Sequence, residues 1–511
     1  MMTVPYRVLS TRAGSSTSRR RTMTALAIGG LSLAIASASA SAASGLPAFP
    51  ASAFRPSTVN QANAVDIRGT WNMPGSGYIL DIDREHMVAY SYAGGLCWQD
   101  PALLVLLGDG KTVPYYAQSR RPVDTAFAAD LYPGGTDQLH AERLGSVPSV
   151  CTRATDRSTS LYTFDAITST LVDFYPFGSE RQIDWAKRKA LLRPRAAAAR
   201  NDAELKGVLT DLLAGFEDAH TAIIGSVGDE SFILGSEAKP TGHRLMARAR
   251  RDNATLFSDW FLNWRKDQQQ RVFATLNPAT RHMALKDDAV MWGVLDGNVG
   301  YLSIESMEGY EADSGFGRDL ELMRLTLDKA LNDLKGTKAL VLDISNNSGG
   351  YGQVGLDIAG RFADRRRLAF TVRIPGAYRV APQSFQVSPE GQGRYLKPVF
   401  VLTSEETVSA GEWLALGMRV LPRTVQIGQA TQGALTGDFM KGLPNGWILS
   451  TSNAVLRDPH GIGYEVTGLP PDIALEVYPG DPSVSDAEFD NGRLNAVLRV
   501  AQRAAVLRAP E

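Results

Sequence analysis

Histidine and cysteine are scarce in this chain, at 6 and 2 residues in 511. The histidines are scattered, and no CxxC, HExxH or clustered Cys/His spacing occurs, so neither a structural nor a catalytic zinc is expected, and no cofactor. Net charge is also lacking: 53 Lys+Arg stand against 54 Asp+Glu, a formal charge of −1. The basic clusters, such as Arg244 to Arg251, alternate with apolar residues as solvated helix faces do. No nucleic-acid partner is expected. No segment beyond the first residues is apolar for long enough to cross a membrane, so the mature chain should carry no integral membrane segment.

The first residues read as an export signal. Ser18-Arg19-Arg20-Arg21-Thr22-Met23 is basic, Ala25 to Ala36 is a short apolar core, and Ala38-Ser39-Ala40 or Ala40-Ser41-Ala42 offers a cleavage site. The arginines fit twin-arginine export as well as a Sec signal with a basic start. Residues 1–43 are therefore expected to be removed and the rest to be periplasmic or secreted. There, Cys97 and Cys151 would meet oxidising conditions that permit a disulfide.

Hydrophobic periodicity divides the remainder. An Ala/Ser/Pro-rich lead-in covers 44–65. A small β domain is expected over 66–155, with Tyr78–Asp83 and Met87–Tyr92 as a hairpin, Leu103–Tyr116 continuing the sheet, and a turn at Tyr132-Pro133-Gly134-Gly135. Residues 156–288 read as helical, with stripes such as Phe164, Ile167, Leu171 and Phe174. Strands and helices then alternate over 289–485, among them Val299–Ile304 and Ala339–Ile344, and a closing helix covers 486–511. The fold class is α/β.

Five short patterns carry the chemistry. Thr407-Val408-Ser409-Ala410-Gly411-Glu412 lies between the apolar strand Pro398–Leu402 and a helix beginning near Trp413. A serine on that turn has an exposed hydroxyl beside the unpaired N–H groups of a helix N-terminus, which is also what a simple N-cap would look like. Asn346-Asn347-Ser348-Gly349-Gly350 closes another strand, where a glycine pair lets the backbone approach a bound group. The amides of Gly349, Gly350 and Ala410 are the candidate oxyanion donors. Serine needs a base, and His220 in Asp218-Ala219-His220-Thr221 sits at i+4 from Phe216 on a core-facing helical side. Glu465, in a strand that ends at Gly468-Leu469-Pro470-Pro471, is the candidate for orienting the imidazole.

The order Asp-x-His-Thr (218–221), Asp-x-x-x-Asn-x-Gly-Gly (343–350), Thr-x-Ser-Ala-Gly-Glu (407–412), Gly-x-x-Thr-x-Gly (428–433) and Glu-x-x-Gly-x-x-Pro-Asp (465–472) resembles the serine peptidase family of carboxyl-terminal (tail-specific) processing proteases and the tricorn core. The resemblance implies a ClpP/crotonase-like core preceded by the helical segment and the small N-terminal β domain. It implies peptide hydrolysis through an acyl-enzyme, with Ser409 as nucleophile, His220 as base and Glu465 as orienting carboxylate, on a peptide or protein substrate.

Three departures refine the expectation. Many processing proteases carry a lysine base just after the last glycine of the fourth pattern, where this chain has Ala434. Lys441 lies too far along to take its place, so Lys441→Ala is expected to leave activity intact. That favours the tricorn-like Ser-His-Glu arrangement. The arginine usual in Asp-x-Arg is Ser345, and the segment after His220 is short for a PDZ domain. A second reading is a non-catalytic carrier of an apolar ligand or peptide on the same scaffold. A third, a crotonase-type acyl-CoA enzyme, fits poorly with export. The oligomeric state has no sequence signal.

Overall fold

The computed structural model describes residues 49–50, 68–83, 86–102, 126–130, 138–235, 239–312, 314–377, 380–437 and 439–506. The expected signal segment, nearly all of the lead-in, the continuation at Leu103–Tyr116 and the turn at 132–135 lie outside the described residues.

An antiparallel N-terminal sheet comes first. Its strands are β1 (Phe49–Pro50), β2 (Gly69–Met73), β3 (Tyr78–Ile82), β4 (His86–Ala93), β5 (Leu96–Gln99), β6 (Ala126–Asp130) and β7 (Gln138–Leu144), in the order β1-β4-β3-β2-β7-β6 with β5 on β4. The expected hairpin is β3–β4, with Tyr78 opposite Ser91. A short helix α1 (Ser149–Thr152) follows, and a disulfide joins its Cys151 to Cys97 of β5.

Three helices then pack together: α2 (Ser160–Phe174), α3 (Trp185–Ala198) and α4 (Asp202–Leu213). Thr159 and Asn201 cap α2 and α4 by accepting from the amides three residues on, Tyr162 and Glu204. Gly215, at φ 67°, lies in the turn that follows α4, before the histidine motif. His220 thus sits in a turn and not on a helix face, so the i+4 relation to Phe216 does not place it. The segment is also less helical than its apolar content suggests. After the turn come the paired strands β8 (Ala222–Val227) and β9 (Glu230–Gly235), before α5 (Pro240–Arg251) and α6 (Phe257–Phe273). The β-branched run Ile223-Ile224 and the tight Gly228-Asp229 connection favour a hairpin there.

The central sheet has seven strands. In chain order they are β10 (His282–Ala284), β11 (Val290–Leu295), β12 (Val299–Ile304), β13 (Ala339–Asp343), β16 (Val399–Thr403), β17 (Thr424–Gly428) and β21 (Ile473–Ala474), and they lie side by side in that order. From β12 onward neighbours are parallel. Between them run α7 (Phe316–Leu334), α8 (Gly352–Gly360) and α9 (Ala410–Arg419), a small sheet of β14 (Arg367–Arg373), β15 (Gln383–Val387) and β20 (Val455–Arg457), and the hairpin β18 (Phe439–Gly442) and β19 (Ile448–Thr451). That hairpin joins β8 and β9 in a four-stranded sheet ordered β18-β19-β8-β9. The chain closes with α10 (Asp486–Ala505).

Every residue of β13 and β16 is buried, as a parallel strand covered on both faces requires. Alternate side chains point to opposite sides. Leu340, Leu342, Val399 and Val401 meet α7, α8 and α9 through Leu327, Ile358 and Leu414. Val341, Phe400 and Leu402 meet α6 and α10 through Trp264, Val497 and Val500. The core is therefore a helix–sheet–helix sandwich, a mixed α/β fold.

Charge is buried in it as well. Arg493 of α10, fully enclosed, donates from Nε to Asp343 Oδ2 (3.0 Å) and from Nη2 to Glu305 Oε1 (2.6 Å) and Ser303 Oγ (2.8 Å). Arg265 of α6 completes the group by donating to the Glu305 carbonyl at 2.7 Å. Removing one partner of such a network strands the others without water. Arg493→Leu is expected to cost about 3–5 kcal/mol, read as a lowered urea midpoint; an unchanged midpoint would show that the network contributes nothing to stability.

Candidate active site

The loops leaving the C-terminal ends of β13, β16 and β17 converge on Ser409. It stands between β16 and α9 with φ 56° and ψ −118°, a backbone state that side-chain-bearing residues rarely occupy. Such strain persists only where surrounding bonds over-determine it. Here they do. The Ser409 N–H donates to the Ala434 carbonyl (3.1 Å) and to Glu412 Oε2 (3.1 Å). Thr407 Oγ1 donates to the Ile344 carbonyl at 2.8 Å, and the Val408 N–H to the Asn347 carbonyl at 3.1 Å. Gly411 lies so close to Asn347 that a Cβ would come within 2.7 Å of its Oδ1. This accounts for the glycine in Ser-Ala-Gly.

The glycine pair approaches from β13. Gly349 has φ 86°, and a Cβ there would lie 2.8 Å from that of Ser409. Gly350 has φ 123°, and its Cβ would lie 2.8 Å from the backbone of Met307. Neither position accepts another residue without movement. The two amides differ, however. The Gly349 N–H donates to Asn347 Oδ1 at 2.9 Å, and its carbonyl accepts from Met307 N at 2.7 Å. The Gly349 amide, one of the three expected oxyanion donors, is thus already engaged within its own turn. Ala410 opens α9, so its N–H also carries the positive end of the helix.

The sequence marks Glu412 only as the last residue of Thr-x-Ser-Ala-Gly-Glu, three residues after an N-cap serine as in a capping box. Fully buried, it accepts from the Ser409 amide, from Thr431 Oγ1 (2.5 Å), and from the amides of Gly433 (2.8 Å) and Ala434 (3.0 Å). Desolvation raises its pKa, and these hydrogen bonds oppose the rise. Ala434, at the position where the resemblance implies a lysine, gives its amide to Glu412 and its carbonyl to Ser409.

Glu465 holds the other side of the same loop. Its Oε2 accepts from the amides of Leu435 (2.9 Å) and Thr436 (3.2 Å), while Oε1 is buried with no hydrogen-bond partner among the described residues. It stands in a turn and not in the expected strand; only Ile473–Ala474 of that stretch pairs in a sheet. The next residue, Val466, is held at φ 74°, an outlier for a β-branched residue. Its amide donates to the Gly433 carbonyl at 2.8 Å, and its carbonyl accepts from Lys239 Nζ at 3.3 Å. Burial pushes the pKa of Glu465 well up, and the negative charges of Asp218 and Glu412 push it further.

Asp218 is two residues before His220, so the histidine motif and Glu465 are electrostatic neighbours. The motif itself is built rigidly. The His220 N–H donates to Asp218 Oδ1 at 2.9 Å, Tyr175 Oη donates to Asp218 Oδ2 at 2.6 Å, and Arg181 lies 3.3 Å from the same oxygen. On the other side the His220 carbonyl accepts from Ser450 Oγ of β19 at 3.0 Å, and Thr221 Oγ1 lies 3.1 Å from Thr451 Oγ1. The His220 side chain is buried.

Among the described residues no group of three or more His, Cys, Asp or Glu side chains could hold a metal ion, and no helix is long and apolar enough to cross a membrane. Cys97 and Cys151 are tied within the N-terminal sheet region, apart from these loops. A cleft of about 980 Å³ lies at the far end of α9, lined by Arg419, Gln426, Tyr464 and others but by none of the candidate site residues.

Residues 298–475 match the family model described as Peptidase family S41. A carboxyl-terminal-processing protease of Picosynechococcus sp. is 31% identical over 156 residues, which are 30% of this chain and 36% of that protein. The carboxy-terminal processing protease CtpA of Bacillus subtilis is 23% identical over 213 residues, 41% of this chain and 42% of its own length. The chain thus spans well under half the length of these relatives. A crystal structure of a protein from Parabacteroides merdae shares the fold with a TM-score of 0.51 at 22% identity, covering 68% of this chain and 98% of that one. Residues 298–475 thus form a peptidase family S41 domain.

The raised pKa of Glu465 has a definite sign. The folded state holds a proton that the unfolded carboxyl, with a pKa near 4.5, releases. The associated stability is therefore complete below that value and is lost as pH rises through the folded pKa. Glu465→Gln escapes this loss, so its melting temperature should gain on the wild type as pH is raised from about 4 to about 8. A pH-independent difference between the two melting curves would show that burial does not perturb this carboxyl.

Proposed function

We propose that this chain, through its S41 domain, is a serine peptidase that hydrolyses peptide bonds by way of an acyl-enzyme. The observation that carries the reading is Ser409 itself, held at φ 56° on the N-terminal end of α9 with glycine-only backbone pressed against it. A serine whose sole task was capping would need neither the strain nor the glycines.

The residues take the following roles. Ser409 Oγ attacks the peptide carbonyl while the imidazole of His220 removes its proton. The carbonyl oxygen becomes an oxyanion that the Gly350 and Ala410 amides receive, at the positive end of α9. The imidazolium formed in that step is stabilised by Glu465 in its carboxylate form, which takes up and gives off no proton during the reaction. His220 then returns the proton to the leaving amine, and water repeats the sequence on the ester. Ala434 offers no amine, which supports a histidine rather than a lysine base. The resemblance to the tricorn-like branch supports the same choice.

In this reading the α/β sandwich is a ClpP/crotonase-like core spanning about 289–485. The helical and hairpin segment before it supplies the base, and the small β domain over 66–155 flanks it. The basic and apolar pattern of the first 43 residues supports export to the periplasm or beyond.

The test is labelling with a fluorophosphonate probe read by intact mass. One adduct is expected on the wild type and none on Ser409→Ala. His220→Ala should slow labelling by at least about 10²-fold without loss of fold. An unlabelled, folded wild type would overturn the hydrolase reading in favour of a carrier, and rapid labelling of His220→Ala would remove histidine as the base.

A further inference from the structure

Lys441 is fully buried, and its side chain reaches into the N-terminal sheet. Its Nζ donates to the Gly77 carbonyl of the N-terminal sheet at 2.7 Å, with Ser91 Oγ and the Tyr92 carbonyl each at 3.5 Å. Five rings surround it: Tyr78 at 4.4 Å, Phe174 at 5.1 Å, Phe439 at 5.3 Å, and Tyr92 and Trp98 each at 5.9 Å. Three of these rings come from the N-terminal sheet, one from α2 and one from β18. The ring faces offset part of what the cation loses in hydration, yet burial still pulls its pKa down to about 7, against the opposing charges of Asp100 and Asp173.

The backbone on either side of Lys441 is gripped by the same sheet. Tyr78 Oη donates to the Met440 carbonyl, and Trp98 Nε1 to the Gly442 carbonyl at 2.7 Å. The Gly442 amide donates to Asp100 at 3.0 Å. A Cβ on Gly442 would come within 2.2 Å of that carboxylate, so the approach admits only glycine. The N-terminal sheet thus covers the outer edge of β18, which would otherwise expose unpaired backbone groups. From β18 the connection is short. β18 pairs with β19, β19 pairs with β8, and Ser450 and Thr451 of β19 bond His220 and Thr221.

The geometry points to the N-terminal sheet as the clamp that sets the position of His220, with Lys441 as the positioning residue at its centre. This rests on the reading of His220 as the base. It gives the sheet a task, and it reverses the expectation that Lys441→Ala is silent. Lys441 does no proton transfer; it fixes the edge from which the histidine turn is hung.

The experiment compares fluorophosphonate labelling rates of Ser409 in the wild type, Lys441→Met, Trp98→Phe and His220→Ala. Rates are taken across pH at a temperature where near-UV circular dichroism shows each protein folded. Methionine fills the cage but cannot hold the Gly77 carbonyl, and phenylalanine keeps an aromatic ring while removing the bond to Gly442 and part of the indole volume. Both are expected to label about 10- to 100-fold more slowly, with the acidic limb of the pH–rate profile displaced. A purely structural role would leave the rate and profile of the folded protein alone. Wild-type rates in folded Lys441→Met and Trp98→Phe, with His220→Ala inert, would overturn the clamp and spare the base. Wild-type rates in His220→Ala, or no label on the wild type, would overturn both. Should Lys441→Met not fold, the Trp98→Phe rate decides alone.

Discussion

The site depends on one buried carboxylate. Glu412 accepts from the Ser409 amide on one side and from Thr431, Gly433 and Ala434 on the other. It is charged or uncharged at a cost that burial raises, and four donors share that cost. Through them the strained serine, the loop after β17 and, by way of Leu435 and Thr436, the carboxyl of Glu465 become one rigid assembly. Ser409 and Val466, two side-chain-bearing residues held at positive φ, lie on either side of that loop. The strain at both is what the bonds around Glu412 and Lys239 hold in place.

A second feature concerns a residue this chain does not have. The resemblance to processing proteases implies an arginine two residues after Asp343, and the sequence has Ser345. The structure brings a guanidinium to Asp343 from elsewhere, as Arg493 of α10, 150 residues on. Ser345 in turn donates to Asp343 Oδ1 at 2.6 Å. Its carbonyl receives the Ser404 hydroxyl, which ties the end of β13 to the loop that carries the nucleophile. Asp343 thus takes its positive partner from a distant part of the chain.

How much of this was legible depended on whether a feature is local. The strands Val299–Ile304 and Ala339–Asp343 stood out because continuous apolar runs mark doubly covered strands, and the turn before α9 stood out because strand, serine and helix are contiguous. The environment of His220 was misread because Gly215 follows the end of α4, so helical spacing says nothing about residue 220. Glu465 was misread as part of a strand because Tyr464-Glu465-Val466-Thr467 has strand composition, whereas long-range bonds to Gly433 and Leu435 hold it in a turn. The engagement of the Gly349 amide by Asn347 is a matter of side-chain direction, which spacing does not encode. Motif spacing addresses Lys441 only as a base; its aromatic surroundings come from residues more than 260 positions away in the sequence, apart from Phe439.

The enclosure of Arg493 also makes the core depend on its C-terminal helix. Asp343 closes β13 and Glu305 follows β12, so α10 lays its arginine across the ends of two neighbouring strands, one of which leads into the glycine pair of the site. Without α10, Glu305 would keep Arg265 as its cationic partner among the described side chains, and Asp343 would keep the hydroxyls of Tyr301 and Ser345. A helix far along the chain thus fastens strand ends that come well before it.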